Sequence, residues 1–366
     1  MEAPAAFPRE LTIDHLRHVL SGWTGIPRDR LGLSGNLQLD TAALRQGLQS
    51  RIFGQQAAIE VLVSALSRRL GLPERNARRP QWTAIAAGPS GVGKTETARV
   101  LAEYFFGDPR ALIQIDCSEL DQEHHLDRLV GSPPGYKGHG DGGQLTNALR
   151  RTKYCVILFD EVEKACDALL TRLLLPLLGE GVVHDMNSGQ ALDARDTVVF
   201  LTSNVGTNRR EQQQVGFGAG QPADQDAGSQ EQEIRTAIGD RFPKELLGRT
   251  DDVLIYRPLS DEALRLIWRR EVEQFEQRLS RRGDRVRIEI SPEAETLLIE
   301  CSKERAKAQG ARAVVRTFDK ALVDRALRLL GAPSSVDRRL QVNHNAQGGL
   351  EFRVEATGRD PEGRTA

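Results

Sequence analysis

Residues Gly88 to Thr95 read GPSGVGKT, which fits the spacing GxxxxGK[ST]. The run sits between a short apolar stretch, WTAIAAG, and a helix-forming one, TETARVLAEYFF. In that setting the spacing carries chemistry. Glycines let backbone N–H groups approach phosphate oxygens with no Cβ in the way, and the N-terminus of the following helix adds partial positive charge. Lys94 can reach the β- and γ-phosphates of a nucleotide, and Thr95 can ligate Mg²⁺. Further along, VILFDE puts Asp160 and Glu161 at the end of a strongly apolar run. In an open parallel sheet, ligands bind at the carboxyl ends of strands. There Asp160 can hold Mg²⁺ through water, and Glu161 can orient and polarise an attacking water. Taken alone, two acids could equally cap the helix that follows. TVVFLTSN ends on Asn204, whose carboxamide can hydrogen-bond a γ-phosphate or the water, or simply end a turn.

A different kind of site is suggested by GSPPGYKGHGDGGQL. So many glycines and prolines exclude a helix or a central strand. Tyr136 therefore sits in a glycine-rich loop, either packed in an ordinary turn or presented at its tip. The other reactive residue types build nothing. His124 and His125 are adjacent and lack a carboxylate or Cys to complete a ligand set. Cys117, Cys155, Cys166 and Cys301 show neither CxxC nor metal spacing and read as reduced thiols. GxSxG and HExxH are absent, so intrinsic protease activity is not expected.

The elements that must position these residues alternate in type. WTAIAAG, ALIQID, YCVILFD and TVVFLTSN read as strands, YCVILFD as a strongly buried one, separated by helical stretches, an α/β pattern with a parallel sheet covered on both faces. Before them, LTIDHLRHVLSGW and a second stretch over about 41–70, interrupted near RIFGQ, read as helices. ALLTRLLLPLL reads as a buried helix. Residues 209–233, rich in Gln, Gly and Asp, read as a mobile surface loop that contains an apolar island, Val215-Gly216-Phe217. Helical patterns dominate after PLS, and RLQVNHNAQGGLEFRV reads as a hairpin. The expected division is a helical lead-in (1–50), an α/β domain (51–257), a small mainly helical domain with the hairpin (258–354) and a polar tail (355–366). With 50 Lys and Arg against 51 Asp and Glu, the net charge of −1 argues against a broad nucleic-acid or anionic-membrane surface. No membrane span or secretion signal is legible, so a cytoplasmic location is expected.

Together these residues resemble the Clp family of AAA+ unfoldases, in particular the second ATPase domain of its ClpB- and ClpC-like members. The resemblance runs from about residue 11 to about 354 and keeps one order throughout. WTGIP (23–27) looks like the family's lead-in, and RIFGQ (51–55) like its adenine-side segment, which implies Ile52 and Phe53 at the base. GPSGVGKTE is similar to the Walker A, implying nucleotide contacts from Gly88, Pro89, Ser90, Gly91, Val92, Gly93, Lys94, Thr95 and Glu96. VILFDEVEKA is similar to the Walker B and DTVVFLTSNVG to sensor 1. LVGSPPGYKG resembles the pore loop, implying that Gly135, Tyr136, Lys137 and Gly138 meet a polypeptide substrate. ELLGRTDDVLIYRPL resembles the arginine-finger stretch, with Arg249 reaching a neighbour's ATP, and GAR (310–312) resembles sensor 2, with Arg312 acting in cis.

The resemblance implies ATP and Mg²⁺ as cofactors, a homo-oligomer that is a hexameric ring, and ATP-driven threading of polypeptides through its pore. Val215-Gly216-Phe217 resembles the tip that docks on a peptidase ring, and reads alternatively as a pin holding a long loop. A peptidase or an adaptor is thus an expected kind of partner, and nucleic acid and membrane are not. Three features depart from the family: one Walker A where members usually carry two, Lys137 and His139 in the pore loop, and LLGRTDD where INRIDE is usual. The alternative reading is an AAA+ ATPase that uses nucleotide state as a switch to remodel a partner without threading.

Overall fold

In the computed structural model, the described residues are 11–24, 28, 40–71, 78–136, 140, 142–207, 227–345, 347 and 349–356. They form two compact units. The first comprises Met1–Ile52, Gln56–Gly88 and Lys94–Tyr256, and the second Phe53–Gln55, Pro89–Gly93 and Arg257–Ala366.

The first unit is built on strands β1 (Trp82–Ala87), β2 (Leu112–Asp116), β3 (Val156–Asp160), β6 (Val198–Ser203) and β7 (Asp252–Ile255), with β4 (Val182–His184) and β5 (Ala191–Asp193) forming a separate antiparallel hairpin. The five-stranded sheet has the order β2-β3-β6-β1-β7, and all its pairs are parallel. Every residue of β1 and β6 is buried, because helices cover both faces. That burial is why these strands read as continuous apolar runs and not as alternations. Register aligns their ends. Asp116 pairs with Asp160, Phe159 with Leu201 and Ala87 with Ser203, so the residues that follow β1, β3 and β6 share one edge. The sequence reading named neither β7 nor the β4–β5 hairpin, whose short strands carry little pattern.

Helices flank the sheet at Thr41–Gln49, Gln56–Gly71 and Lys94–Phe106. Asp40 caps the first of these by accepting from the N–H groups of Ala42 and Ala43, each at 3.0 Å. ALLTRLLLPLL is a buried helix, as expected. It passes through a π-turn, Leu169–Leu174, just before Pro176, where the proline removes an N–H from the ladder. The lead-in helix Ile13–Thr24 forms where the spacing predicts, but its apolar side chains Ile13, Leu16, Val19, Leu20 and Trp23 are exposed. The expected loop over 209–233 is corrected at its end, since the helix Ala227–Arg241 already includes residues 227–233. Leaving aside that segment's polar composition, Ile234, Ala237 and Ile238 bury at near-helical spacing and extend the helix's packing face. No helix among the described residues is long and apolar enough to cross a membrane.

The second unit packs the helices Asp261–Arg282, Pro292–Gln309, Ala311–Phe318 and Asp324–Leu330 against strands β8 (Arg285–Ile290), β9 (Asp337–His344) and β10 (Leu350–Ala356). The hairpin β9–β10 stands where the sequence predicts it. Strand β8, which the sequence reading omitted, pairs parallel with β9 and alternates exposed and buried residues, the period-2 signal of a half-buried strand. β10 runs to Ala356, so Glu355 and Ala356 belong to the sheet and not to the tail. Ser260 and Ser291 cap the two long helices, each accepting an N–H at 3.2 Å. Trp268, Phe275 and Phe318 form the aromatic centre of this core, with Trp268 and Phe318 centroids 5.2 Å apart.

Candidate nucleotide site

Gly88 follows β1 with φ of +149°, a conformation side chains rarely adopt, and a Cβ there would collide with the carbonyl of Tyr256. The chain turns at Gly88 only because that position is glycine. Lys94 opens the helix Lys94–Phe106 and is 6% exposed. Its ammonium donates to the Gly88 carbonyl at 2.6 Å and to Asn204 Oδ1 at 2.9 Å. Asn204, level with Gly88 by the β1–β6 register, turns its Nδ2 to Glu161 Oε1 at 3.1 Å. One carboxamide therefore bridges the lysine of the phosphate-loop motif and the second acid of the β3 motif.

Asp160 ends β3. Its Oδ2 accepts from Thr95 Oγ1 at 3.2 Å and from Gln114 Nε2 at 3.3 Å, and its Oδ1 accepts from the Thr202 hydroxyl. The same Thr202 oxygen accepts the Glu161 N–H at 3.0 Å. Glu161 has φ of +56° and is the one non-glycine with positive φ among the described residues. Such a turn is costly for a residue with a Cβ, and it swings the side chain back along the sheet edge. Both carboxylate oxygens are engaged: Oε1 by Asn204, and Oε2 by Lys164 Nζ at 2.5 Å. The hydrogen bond from Lys164 to Glu161 pushes the Lys164 ammonium above its ordinary range. Glu163 accepts the Asn204 N–H at 2.9 Å, so the Asn204 backbone and side chain are fixed from the same turn. Burial, then the carboxylates of Asp116 and Asp160, push the Cys117 thiol well up, which makes it inert and marks this edge as electronegative.

The donor set fits a phosphate-linked cation. Thr95 and Asp160 offer one hydroxyl and one carboxylate side by side. No group of three or more His, Cys, Asp and Glu among the described residues could hold a metal by itself. A divalent cation of the Mg²⁺ kind takes few protein ligands and completes its shell with phosphate oxygens and water.

The structure thus brings Gly88, Lys94, Thr95, Asp160, Glu161 and Asn204 into one network. Thr202, Gln114, Glu163 and Lys164 join it, and the sequence reading gave them no role. Each lies beside a motif residue or on the neighbouring strand, so their signal was adjacency on a known sheet edge. Glu96 sits in the first turn of its helix, 3.6 Å from Arg99. Ile52 is buried in the first unit.

Arg249 stands outside the network. Its guanidinium donates to the Leu175 carbonyl and lies against Gly179, where a Cβ would come 2.7 Å from Nη1. In the second unit, Phe53 packs on the core beneath Arg270, whose guanidinium is 6.0 Å from the ring centroid. Within the same unit the Pro89–Gly93 loop meets the turn at Gly310: Ala311 N–H donates to the Gly91 carbonyl at 2.8 Å. A Cβ on Gly91 would collide with the Gln309 carbonyl. Arg312, one residue on, is exposed. Tyr136 is 69% exposed at its loop, next to Gly135 with φ of +90°. Lys137 and Gly138 lie outside the described residues, as do Val215, Gly216 and Phe217.

Residues 79–253 match the family described as AAA domain (Cdc48 subfamily). The chain is 35% identical, over 358 residues, to the ATP-dependent Clp protease ATP-binding subunit ClpC of Staphylococcus aureus (strain NCTC 8325 / PS 47), covering 97% of this chain and 42% of that protein. It is 36% identical over 352 residues to the protein of the same name from Staphylococcus saprophyticus, covering 95% of this chain and 41% of that one. The chain spans less than half the length of these relatives. The matched family covers the phosphate loop, the acids of β3 and Asn204, and the likeness to ClpC continues through the second unit, so the chain matches a ClpC-like AAA+ ATPase domain.

Proposed function

We propose that the protein is an ATP-hydrolysing remodeller that unfolds polypeptides by drawing them through the pore of a homo-oligomeric ring, a hexamer by family likeness. The observation that carries the ATPase reading is the bridge Lys94–Asn204–Glu161 beside the Thr95–Asp160 pair. Lys94 is buried with its ammonium on exchangeable acceptors, so it can turn to the β- and γ-phosphates at little cost. Thr95 and Asp160 would hold Mg²⁺, which neutralises charge on the phosphates when bound. Glu161 would accept a hydrogen bond from the attacking water and orient it in line. Asn204, released by Lys94, would sense the γ-phosphate. Arg249 would act on a neighbouring subunit's nucleotide and Arg312 on its own, with Ile52 and Phe53 near the base.

The threading part rests on Tyr136, an exposed aromatic on a glycine-rich loop. The name of the relatives, an ATP-binding subunit of a protease, supports a peptidase as partner, with proteolysis supplied by that partner; an adaptor and a cytoplasmic location belong to the same reading. Turnover of ATP and unfolding of a fluorescent substrate, measured in parallel, test both levels. Lys94→Ala should abolish nucleotide binding. Tyr136→Ala should keep ATP turnover and lose unfolding. A Tyr136→Ala protein that unfolds substrate normally refutes threading and leaves the switch reading.

A further inference from the structure

Glu161 is more tightly held than a residue waiting for water needs to be. Its backbone is fixed in a left-handed turn by the bond from its N–H to Thr202. Asn204 holds one carboxylate oxygen at 3.1 Å and Lys164 the other at 2.5 Å. The two restraints differ in kind. Asn204 is itself tethered to Lys94, so a ligand that draws Lys94 away loosens it. Lys164 has no such link. It lies three residues beyond Glu161, across a single turn of 3₁₀ helix, and its side chain is 52% exposed against 30% for Glu161.

We propose that Lys164 is a positioning residue that clamps Glu161 in a resting arrangement and so brakes ATP hydrolysis until the clamp is drawn off. A carboxylate that must direct its negative charge at a water is here directing it at an ammonium. The ion pair stabilises the resting state more than the transition state, and an interaction of that sign slows the chemical step. Exposure of the lysine keeps the pair weak enough to open, and its ammonium is accessible from solvent to a competing carboxylate on a neighbouring subunit or substrate. The inference rests on the reading of Glu161 as the group that polarises the water.

The test is steady-state ATP turnover of the full chain without added polypeptide. Lys164→Met keeps the length of the side chain and removes the charge. It should raise kcat about two- to five-fold, the range expected for a half-exposed pair, with KM changed less than about two-fold. Lys164→Arg restores the charge and should return kcat to the native value. Combined with Glu161→Gln, Lys164→Met should give no increase, because the clamp has nothing to hold. A kcat at or below native in Lys164→Met overturns the clamp, as does an increase that survives in the Glu161→Gln background. Native turnover in Glu161→Gln alone removes Glu161 from its role and overturns the reading on which the clamp depends. Binding of a fluorescent ATP analogue to Lys164→Met should match native, which separates a released base from an altered pocket.

Discussion

Thr202 offers the sharpest probe of how the sheet edge holds its acids. The residue is fully buried near the end of β6, and its hydroxyl makes two bonds, one donated to Asp160 and one accepted from the Glu161 N–H. Thr202→Val preserves shape and β-branching while deleting both. Loss of a hydrogen bond to a carboxylate costs about 1.5–3 kcal/mol, and leaving a buried N–H unpaired costs about 1–3 kcal/mol. Asp160 keeps Thr95 and Gln114, and Glu161 is partly exposed, so the sum should fall short of the two maxima. We expect about 2–4 kcal/mol lost from the unit that carries the sheet. The positive φ at Glu161 raises a second consequence. Without the Thr202 bond, the left-handed turn has less to hold it against a preference of about 1–2 kcal/mol for ordinary backbone, and Glu161 should leave its place. ATP turnover should then fall at least about ten-fold while nucleotide affinity, set by the phosphate loop, changes little. Urea unfolding and a coupled ATPase assay measure the two effects, with Thr202→Ser as the control that keeps the hydroxyl. A Thr202→Val protein with native stability and turnover within two-fold of native would show that the hydroxyl positions nothing.

Two further perturbations test other parts of the first unit. Arg249→Ala should lose ATP turnover by about 10³-fold or more if the guanidinium serves a neighbour's nucleotide, while its own pocket binds a fluorescent ATP analogue normally. Equal loss of binding and turnover would place Arg249 in its own site. Asp193 is held down to about 2 from its ordinary 3.8, first by the side chain of Arg195. A depressed carboxylate lends stability above its unfolded value and loses it as pH falls, so this contribution should vanish between about pH 4 and about pH 2. Asp193→Asn should flatten the urea midpoint over that window, and an unchanged acid limb would assign it to other groups.

The sheet and its motifs were legible because burial on both faces writes itself into composition: VILF (156–159) and VVFL (198–201) are apolar without break. What escaped was short or half-exposed. The three-residue strands β4 and β5 depend on each other and on Arg195–Asp193 contacts, not on local pattern. β8 alternates faithfully, but RVRIEI places charge at every exposed position and was passed over as helix-rich sequence. The expected loop at 209–233 is too long because Gln, Glu and Ser at the start of the helix Ala227–Arg241 have the same composition as a loop, and the apolar residues that bury, Ile234, Ala237 and Ile238, come only after it. Within the site, motif residues were readable and their supports were not. Nothing in one dimension says that Thr202 stands level with Asp160; strand register decides it.

That register also explains how the buried polar groups of the edge are satisfied by the chain's own residues. Lys94 is almost fully buried, and an unpaired ammonium there would carry a large desolvation penalty. The Gly88 carbonyl and Asn204 Oδ1 offset that penalty by accepting hydrogen bonds from it. Asn204 in turn needs a partner for Nδ2, and Glu161 supplies it; Glu161 needs a second partner, and Lys164 supplies that. The network therefore runs as a chain of donors and acceptors from the phosphate loop to the protein surface. A phosphate arriving at Lys94 competes with the first link and so loosens the hold of Asn204 on Glu161, while the pair with Lys164 stays in place. The last link is the exposed one, so the end of the chain that opens most easily is the end a neighbouring molecule can reach. Nucleotide from one side and a protein partner from the other would then act on the same carboxylate, a coupling carried by named hydrogen bonds rather than by distance.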